Sequence, residues 1–282
     1  MLGVIGGSGL YALEGLTVEK QHDIDTPFGK PSSIIMQGKY EEKDILFLAR
    51  HGEGHQFLPH EVNYRANIYA LKSLGARKIL GISAAGSLRE DIKPGDLALA
   101  SQYFDHTRGK RDYTFFGNSI AGHVSMANPA CPALSQDIQN AAQSLGQKLH
   151  QDKTYGCVEG PRLGTRAESF FLRDQAKCDL VGMTNVPEVF LAREAQMAYV
   201  TICAVTDYDC WMDDPAMHVS VEKFFETYSG ALEKVKTIIQ ALLKSSLSET
   251  PRDIRNALSM AILTPDDAMN SEQKLWMDVL RA

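Results

Sequence analysis

The stretch AYVTICAVTDYDCW, residues 198–211, decides how the rest of the chain is read. It opens as a nearly unbroken apolar run rich in β-branched residues, the composition of a strand covered on both faces. It closes in Asp207-Tyr208-Asp209. In open α/β sheets, ligands lie in the crevice beyond the carboxyl ends of the strands. If extended geometry persists for two residues past the apolar run, Asp207 and Asp209 project to the same side. Two carboxylates there suit a polar ligand, one giving a proton and the other accepting a hydrogen bond. The same Asp-x-Asp can also do no more than end a strand and begin a loop.

Working outward, the chain has 282 residues, 44% hydrophobic and 23% charged, with a formal net charge of -6. That balance fits one large α/β unit and argues against an extended nucleic-acid-binding surface. An anionic ligand must then be held by a local cluster of donors. Cys131, Cys157, Cys178, Cys203 and Cys210 are odd in number and widely spaced, which reads as buried thiols in a reducing compartment. No basic segment precedes an apolar signal core, and no apolar run approaches ~18 residues. The expectation is a cytoplasmic protein that does not engage a membrane.

Other strand-like runs also end in candidate ligand donors. Residues 1–5 run into Gly6-Gly7-Ser8-Gly9, where glycines let backbone N–H groups approach a ligand and Ser8 adds a hydroxyl. This matches neither a Walker loop nor a full dinucleotide fingerprint, and a turn without ligand would look the same. Residues 44–48 end in Ala49-Arg50-His51-Gly52-Glu53-Gly54-His55. Arg is shaped for bidentate anion contacts. Zinc at His51 and His55 is disfavoured by the glycines between them and by the absence of a third ligand nearby. Residues 78–82 predict a buried strand opening into the small-residue loop Ser83-Ala84-Ala85-Gly86-Ser87-Leu88. Residues 179–183 predict another strand, with Pro187 in the first turn of a following helix. Met183 and Thr184 then lie where N–H groups converge on an anion. Thr165-Arg166-Ala167-Glu168 fits a capping box. Val221, Phe224, Tyr228, Leu232, Val235, Ile239 and Leu242 mark a long amphipathic helix. The expected organisation is a domain over residues 1–245 and a helical tail over 246–282 that packs on or over the site.

Ser8, Arg50, His51, Ser83, Ala84 and Thr184 would together make an oxyanion cradle, with Asp207 and Asp209 leaving a further strand end. With GVIGGSGL, DTPFGKPS, FLARHGEGH, VNYRANIYALKSLGA, SAAGSLREDIKPGDL, CVEGPRLGTRAESF, GMTNVPEVFLAREA and TDYDCW, in this order, the chain resembles the trimeric purine nucleoside phosphorylase family. Within it, the 5′-methylthioadenosine phosphorylase branch is the nearer likeness. The resemblance implies a purine/uridine phosphorylase-like α/β fold, a twisted mixed sheet partly closed as a barrel and flanked by helices. It implies a homotrimer acting on a nucleoside and inorganic phosphate, with no cofactor and no metal.

Carried onto this sequence, Ser8, Arg50, His51, Ser83, Ala84 and Thr184 would bind phosphate, and Met183 would contact the ribose. Asp207 would protonate N7 of the departing purine, which calls for a carboxyl able to carry a proton at working pH. Asp209 would assist at the 6-amino edge or orient Asp207. Asp at 207 favours a 6-aminopurine over a 6-oxopurine. Val221 and Phe224 match apolar positions around a 5′-methylthio group, and His123 matches a residue that reaches in from the neighbouring subunit. His55 falls at the site's edge. Leu163 stands where the branch usually has a base-stacking Phe, Gly164 where Ser is common, and Asn185 where Thr is usual. Those departures leave methylthioinosine or another 6-oxopurine nucleoside as an alternative substrate. A phosphate-independent nucleosidase would not need Arg50-His51. A binding protein without activity would not need Asp207.

Overall fold

The computed structural model describes residues 1–11, 13–212 and 221–282; the side chains of Ser8, Tyr11 and 221–223 lie outside that description. Nine strands are described: β1 (Leu2–Gly6), β2 (Leu16–His22), β3 (Ile35–Tyr40), β4 (Lys43–Ala49), β5 (Lys78–Ser87), β6 (Leu97–His106), β7 (Leu149–Val158), β8 (Leu180–Gly182) and β9 (Ala198–Asp207). They form one sheet in the order β2-β3-β4-β1-β5-β8-β7-β6-β9, and β9 pairs again with β5. That last pairing closes β5, β8, β7, β6 and β9 into a five-stranded barrel. The helices are α1 (Tyr64–Ser73), α2 (Pro132–Ser144), α3 (Arg166–Phe170), α4 (Glu188–Glu194), α5 (Val221–Lys244), α6 (Arg252–Arg255) and α7 (Ser271–Arg281).

The apolar run of β9 explains its place. Every residue from Ala198 to Thr206 is buried, because β5 and β6 flank the strand, α2 and α5 cover one face, and the other face, with Tyr199 and Thr201, meets Tyr103 and Asn185. Val200, Ile202 and Val205 are fully enclosed, each stabilising the fold by roughly 1.5–3 kcal/mol. One core cluster gathers around α1, α4 and α7, including Ile68, Leu191 and Met277. A second gathers around α2 and α5, including Ile138 and Ile239. In the tail, α7 buries Trp276, Met277 and Leu280, and residues 261–263 bond back to residues 121–123.

Two expectations need correction. The small-residue segment after Ile82 is not a loop: β5 continues through Ser87, because β9 pairs along its whole length and β8 takes Gly86 and Ser87. Extended geometry also does not carry past Asp207. Asp209 opens a 3-10 turn to Trp211 with φ at +50°, so the alternation that would have aligned Asp207 with Asp209 is lost.

Candidate active site

The parallel strands β4, β1 and β5 lie side by side; β4 and β1 end where their pairing stops, next to the middle of β5, which delivers Arg50, the Gly6-Gly7 turn and Ser83 to one place. The pairing of β5 with β1 stops at Gly81, and its pairing with β8 starts at Gly86. Residues 82–85 therefore have no strand partner on that edge, among the described residues. This gap in the ladder is the opening of the site.

Arg50 is 2% exposed and fixed from several sides. Its Nε and Nη2 donate to Glu188 Oε2 and Oε1 at 2.6 and 2.8 Å, and Nη1 donates to the Ile82 carbonyl at 2.7 Å. Glu188 Oε1 also accepts the Tyr199 hydroxyl at 2.7 Å. A buried pair of this kind persists only when its remaining polar atoms are satisfied, and here they are. Beside it, the hydroxyls of Ser83 and Thr184 meet at 2.7 Å, both buried. The N–H of Thr184 does not add to an anion nest as expected. It faces the Tyr155 hydroxyl at 3.4 Å, because residues 183–187 bend before α4 begins.

His51 Nδ1 donates to the Phe57 carbonyl at 2.8 Å, which leaves Nε2 with a free lone pair. Burial, and then the charge of Arg50, push its pKa down to about 4. His55 stacks on it with centroids 4.7 Å apart and is itself exposed.

Asp207 lies beside Gly86, three residues along β5 from Ser83. At the rise of a strand this separates the two ends of the site by roughly 10 Å. Asp207 Oδ1 accepts the Asp209 N–H at 2.8 Å, and Oδ2 accepts the Thr206 hydroxyl at 2.7 Å. A Cβ on Gly86 would stand 2.9 Å from Asp207 Oδ1 and 3.3 Å from Asp209 Cβ, so glycine is needed for the two acids to sit there. Burial raises the proton affinity of the Asp209 carboxyl, and the charges of Asp207 and Glu168 add to it. Met183 falls between the ends, with its sulfur against Gly160.

The structure brings together Arg50, His51, Ser83, Thr184 and Met183, with Ala84 on the open edge and Asp207 and Asp209 beyond. Leu163 is 80% exposed. Phe224 is half-buried and stacks on Tyr228. His123 is exposed, its N–H bonded to the Ala261 carbonyl, and it joins none of these groups within its own chain. The Ser8 and Val221 side chains lie outside the described residues.

Two residues escaped the sequence reading. Arg111 is buried and joins Glu159 Oε1 at 3.0 Å, the Glu159 carbonyl at 3.0 Å and the Val186 carbonyl at 2.6 Å, bracing the bend that carries Thr184. Nothing in Gly109-Lys110-Arg111-Asp112 marks it as buried. Tyr228 reads only as part of an apolar stripe, yet its hydroxyl approaches Gly7, 3.7 Å from where a Cβ would stand. Glu159 and Glu188 are paired with Arg111 and Arg50.

A fold of this topology with an Arg-centred cradle and an acidic far end defines a class, and the comparisons agree. The model of the phosphorylase superfamily matches residues 1–244, and the chain belongs to that family. It is 45% identical over 93% of its length, and 98% of the relative, to S-methyl-5′-thioadenosine phosphorylase of Thermofilum pendens. A methylthioadenosine phosphorylase structure from an antarctic soil metagenomic library superposes with a TM-score of 0.93 at 40% identity, covering 99% of this chain and 98% of that one. The Schistosoma mansoni methylthioadenosine phosphorylase bound to adenine gives a TM-score of 0.81 at 36% identity, over 86% and 90%. No helix among the described residues is long and apolar enough to cross a membrane.

Proposed function

We propose that the protein catalyses phosphorolysis of 5′-methylthioadenosine, giving adenine and 5-methylthioribose 1-phosphate, with inorganic phosphate as co-substrate and no cofactor. The observation that carries this reading is the near full-length similarity to phosphorylases named for that substrate.

The geometry supports a division of labour. Arg50, His51, Ser83, Ala84, Thr184 and Ser8 hold the phosphate beneath the anomeric carbon, so the nucleophile is aligned rather than generated. A phosphate oxygen attacks that carbon as the bond to N9 of the purine breaks. The electron pair passes into the ring, and Asp207 delivers a proton to N7. Met183 lies between the two ends, where the ribose would span them. Phe224 and Val221 form the apolar surround of the methylthio group. His123 of a neighbouring subunit completes that pocket in a homotrimer, and the 261–263 segment bonded to it is carried along, which gives the tail a role at the site. A cytoplasmic setting suits the free cysteines.

The test is purine release from methylthioadenosine and from methylthioinosine, each with and without phosphate. Phosphate-dependent adenine release, with methylthioinosine poor, is the expected result. Hypoxanthine release in preference would keep the cradle and overturn the role of Asp207; the exposed Leu163 makes that the second reading. Release without phosphate would overturn the cradle.

A further inference from the structure

We propose that Ser169 is the positioning residue of Asp209: its hydroxyl is the hydrogen-bond partner that holds the Asp209 carboxyl in its working orientation when a purine occupies the base end. This rests on the phosphorylase reading for its substrate, though not for its geometry.

Ser169 lies on α3, is 1% exposed, and its Oγ has no hydrogen-bond partner among the described residues. A buried hydroxyl without a partner has lost its water and gained no bond in exchange, so it needs an explanation. The turn from Asp209 to Trp211 packs directly on α3. The Ser169 hydroxyl faces the turn that carries the Asp209 carboxyl and the Cys210 thiol, and no bond of ordinary geometry joins it to either.

The backbone of Asp209 cannot supply that adjustment. Its φ of +50° is a left-handed conformation that a residue with a Cβ adopts at a cost. Its N–H is committed to Asp207. Only the carboxyl is free to turn, and the Ser169 hydroxyl is the neutral donor on the helix side. Gly164, where this chain lacks the side chain common in the branch, offers no hydroxyl, and only Glu168 approaches the place its Cβ would occupy.

Among the described residues, the charged groups facing Asp209 are few. Asp207 lies beside it and raises its proton affinity, as does Glu168 from α3. Glu168 is itself taken by Arg162 at 2.7 Å and by the Thr165 N–H. Arg166 of α3 and the Cys210 thiol lie next along, and β5 presents only Gly86. A hydrogen bond from Ser169, once formed, favours the carboxylate against burial and these like charges. Its loss must move Asp209 toward the protonated form.

The test combines Ser169→Ala, Asp209→Asn and the double variant, each assayed for kcat and kcat/KM across pH and for adenine binding by calorimetry. Ser169→Ala is expected to lower kcat/KM about tenfold. In the pH profile of kcat, which reports the complex, the limb set by Asp209 should move to higher pH by roughly half a unit or more. The phosphate KM should stay within about twofold. In the Asp209→Asn background, the same serine change should cost less than about twofold. An unchanged pH profile, or an equal loss in both backgrounds, would overturn the proposal. If the wild type binds adenine without phosphate-dependent turnover, the functional reading has failed; the coupling is then decided by adenine affinity, which must fall in Ser169→Ala and be no lower in the double variant than in Asp209→Asn.

Discussion

The two ends of the site are built differently. At the phosphate end, Arg50 is locked by Glu188 and the Ile82 carbonyl, and the Ser83 and Thr184 hydroxyls satisfy one another. At the base end, Leu163 is 80% exposed, Asp209 sits on a strained turn, and the Ser169 hydroxyl lacks a partner. The difference follows from what each end must do. A small symmetric anion is the same in every turnover, so its donors can be fixed by the sheet. A purine must be admitted, gripped and released, so its end draws on loops and turns, the least constrained part of a fold. On the proposed reading, the phosphate end is preorganised and the base end is completed by what binds there.

The largest expected effect breaks the phosphate end through its support. Glu188→Ala strands a buried guanidinium, and stability should fall by roughly 3–5 kcal/mol. Glu188→Gln keeps the volume and an acceptor, so thermal melting should show a smaller loss for it. Equal, small losses in both would mean that Arg50 is not held as described.

The two ends should also answer pH with opposite sign. His51 has its pKa lowered to about 4 by burial and Arg50. Its neutral form therefore stabilises the fold above the ordinary value near 6.5 and loses that contribution as pH falls toward 4. From pH 7.5 to 4.5, the stability gap between wild type and His51→Gln should narrow by on the order of 2 kcal/mol. Asp209 has its pKa raised by burial. The contribution of its neutral form is present below about 3.8 and is lost as pH rises. Asp209→Asn should therefore gain on the wild type as pH rises toward neutrality. Denaturant melts at several pH values read both, and slopes of the same sign would erase the contrast.

The smallest effect sharpens the base end. Leu163→Phe adds a ring at an exposed loop position, and stacking on a purine contributes about 0.5–1.5 kcal/mol. The KM for nucleoside should fall about two- to tenfold with the melting temperature unchanged.

How far the sequence reaches depends on the same division. The apolar run of β9 and the Thr165–Glu168 capping box are local signals, and both stand as read. Closure of the barrel depends on pairing β5 with β9, more than a hundred residues apart, which no local pattern encodes. The end of β5 misled for a related reason. Ala84-Ala85-Gly86-Ser87 has the composition of a loop, and only its neighbours hold it extended. Asp207 and Arg50 were legible because a charge ending an apolar run is conspicuous. Ser169 and Arg111 were not: a serine in a short helix and an arginine in a polar segment are ordinary until burial is known.

The contrast between the ends is tested most directly by phosphate dependence in Arg50→Lys and Asp207→Asn, measured as purine release from methylthioadenosine. Lysine keeps the charge opposite Glu188 but loses the planar fork, so the phosphate KM should rise at least about tenfold. In Asp207→Asn, kcat should fall by roughly 10²–10⁴ with the phosphate KM within about twofold. A phosphate KM that rises equally in both variants, or purine release by the wild type that ignores phosphate, would contradict the account.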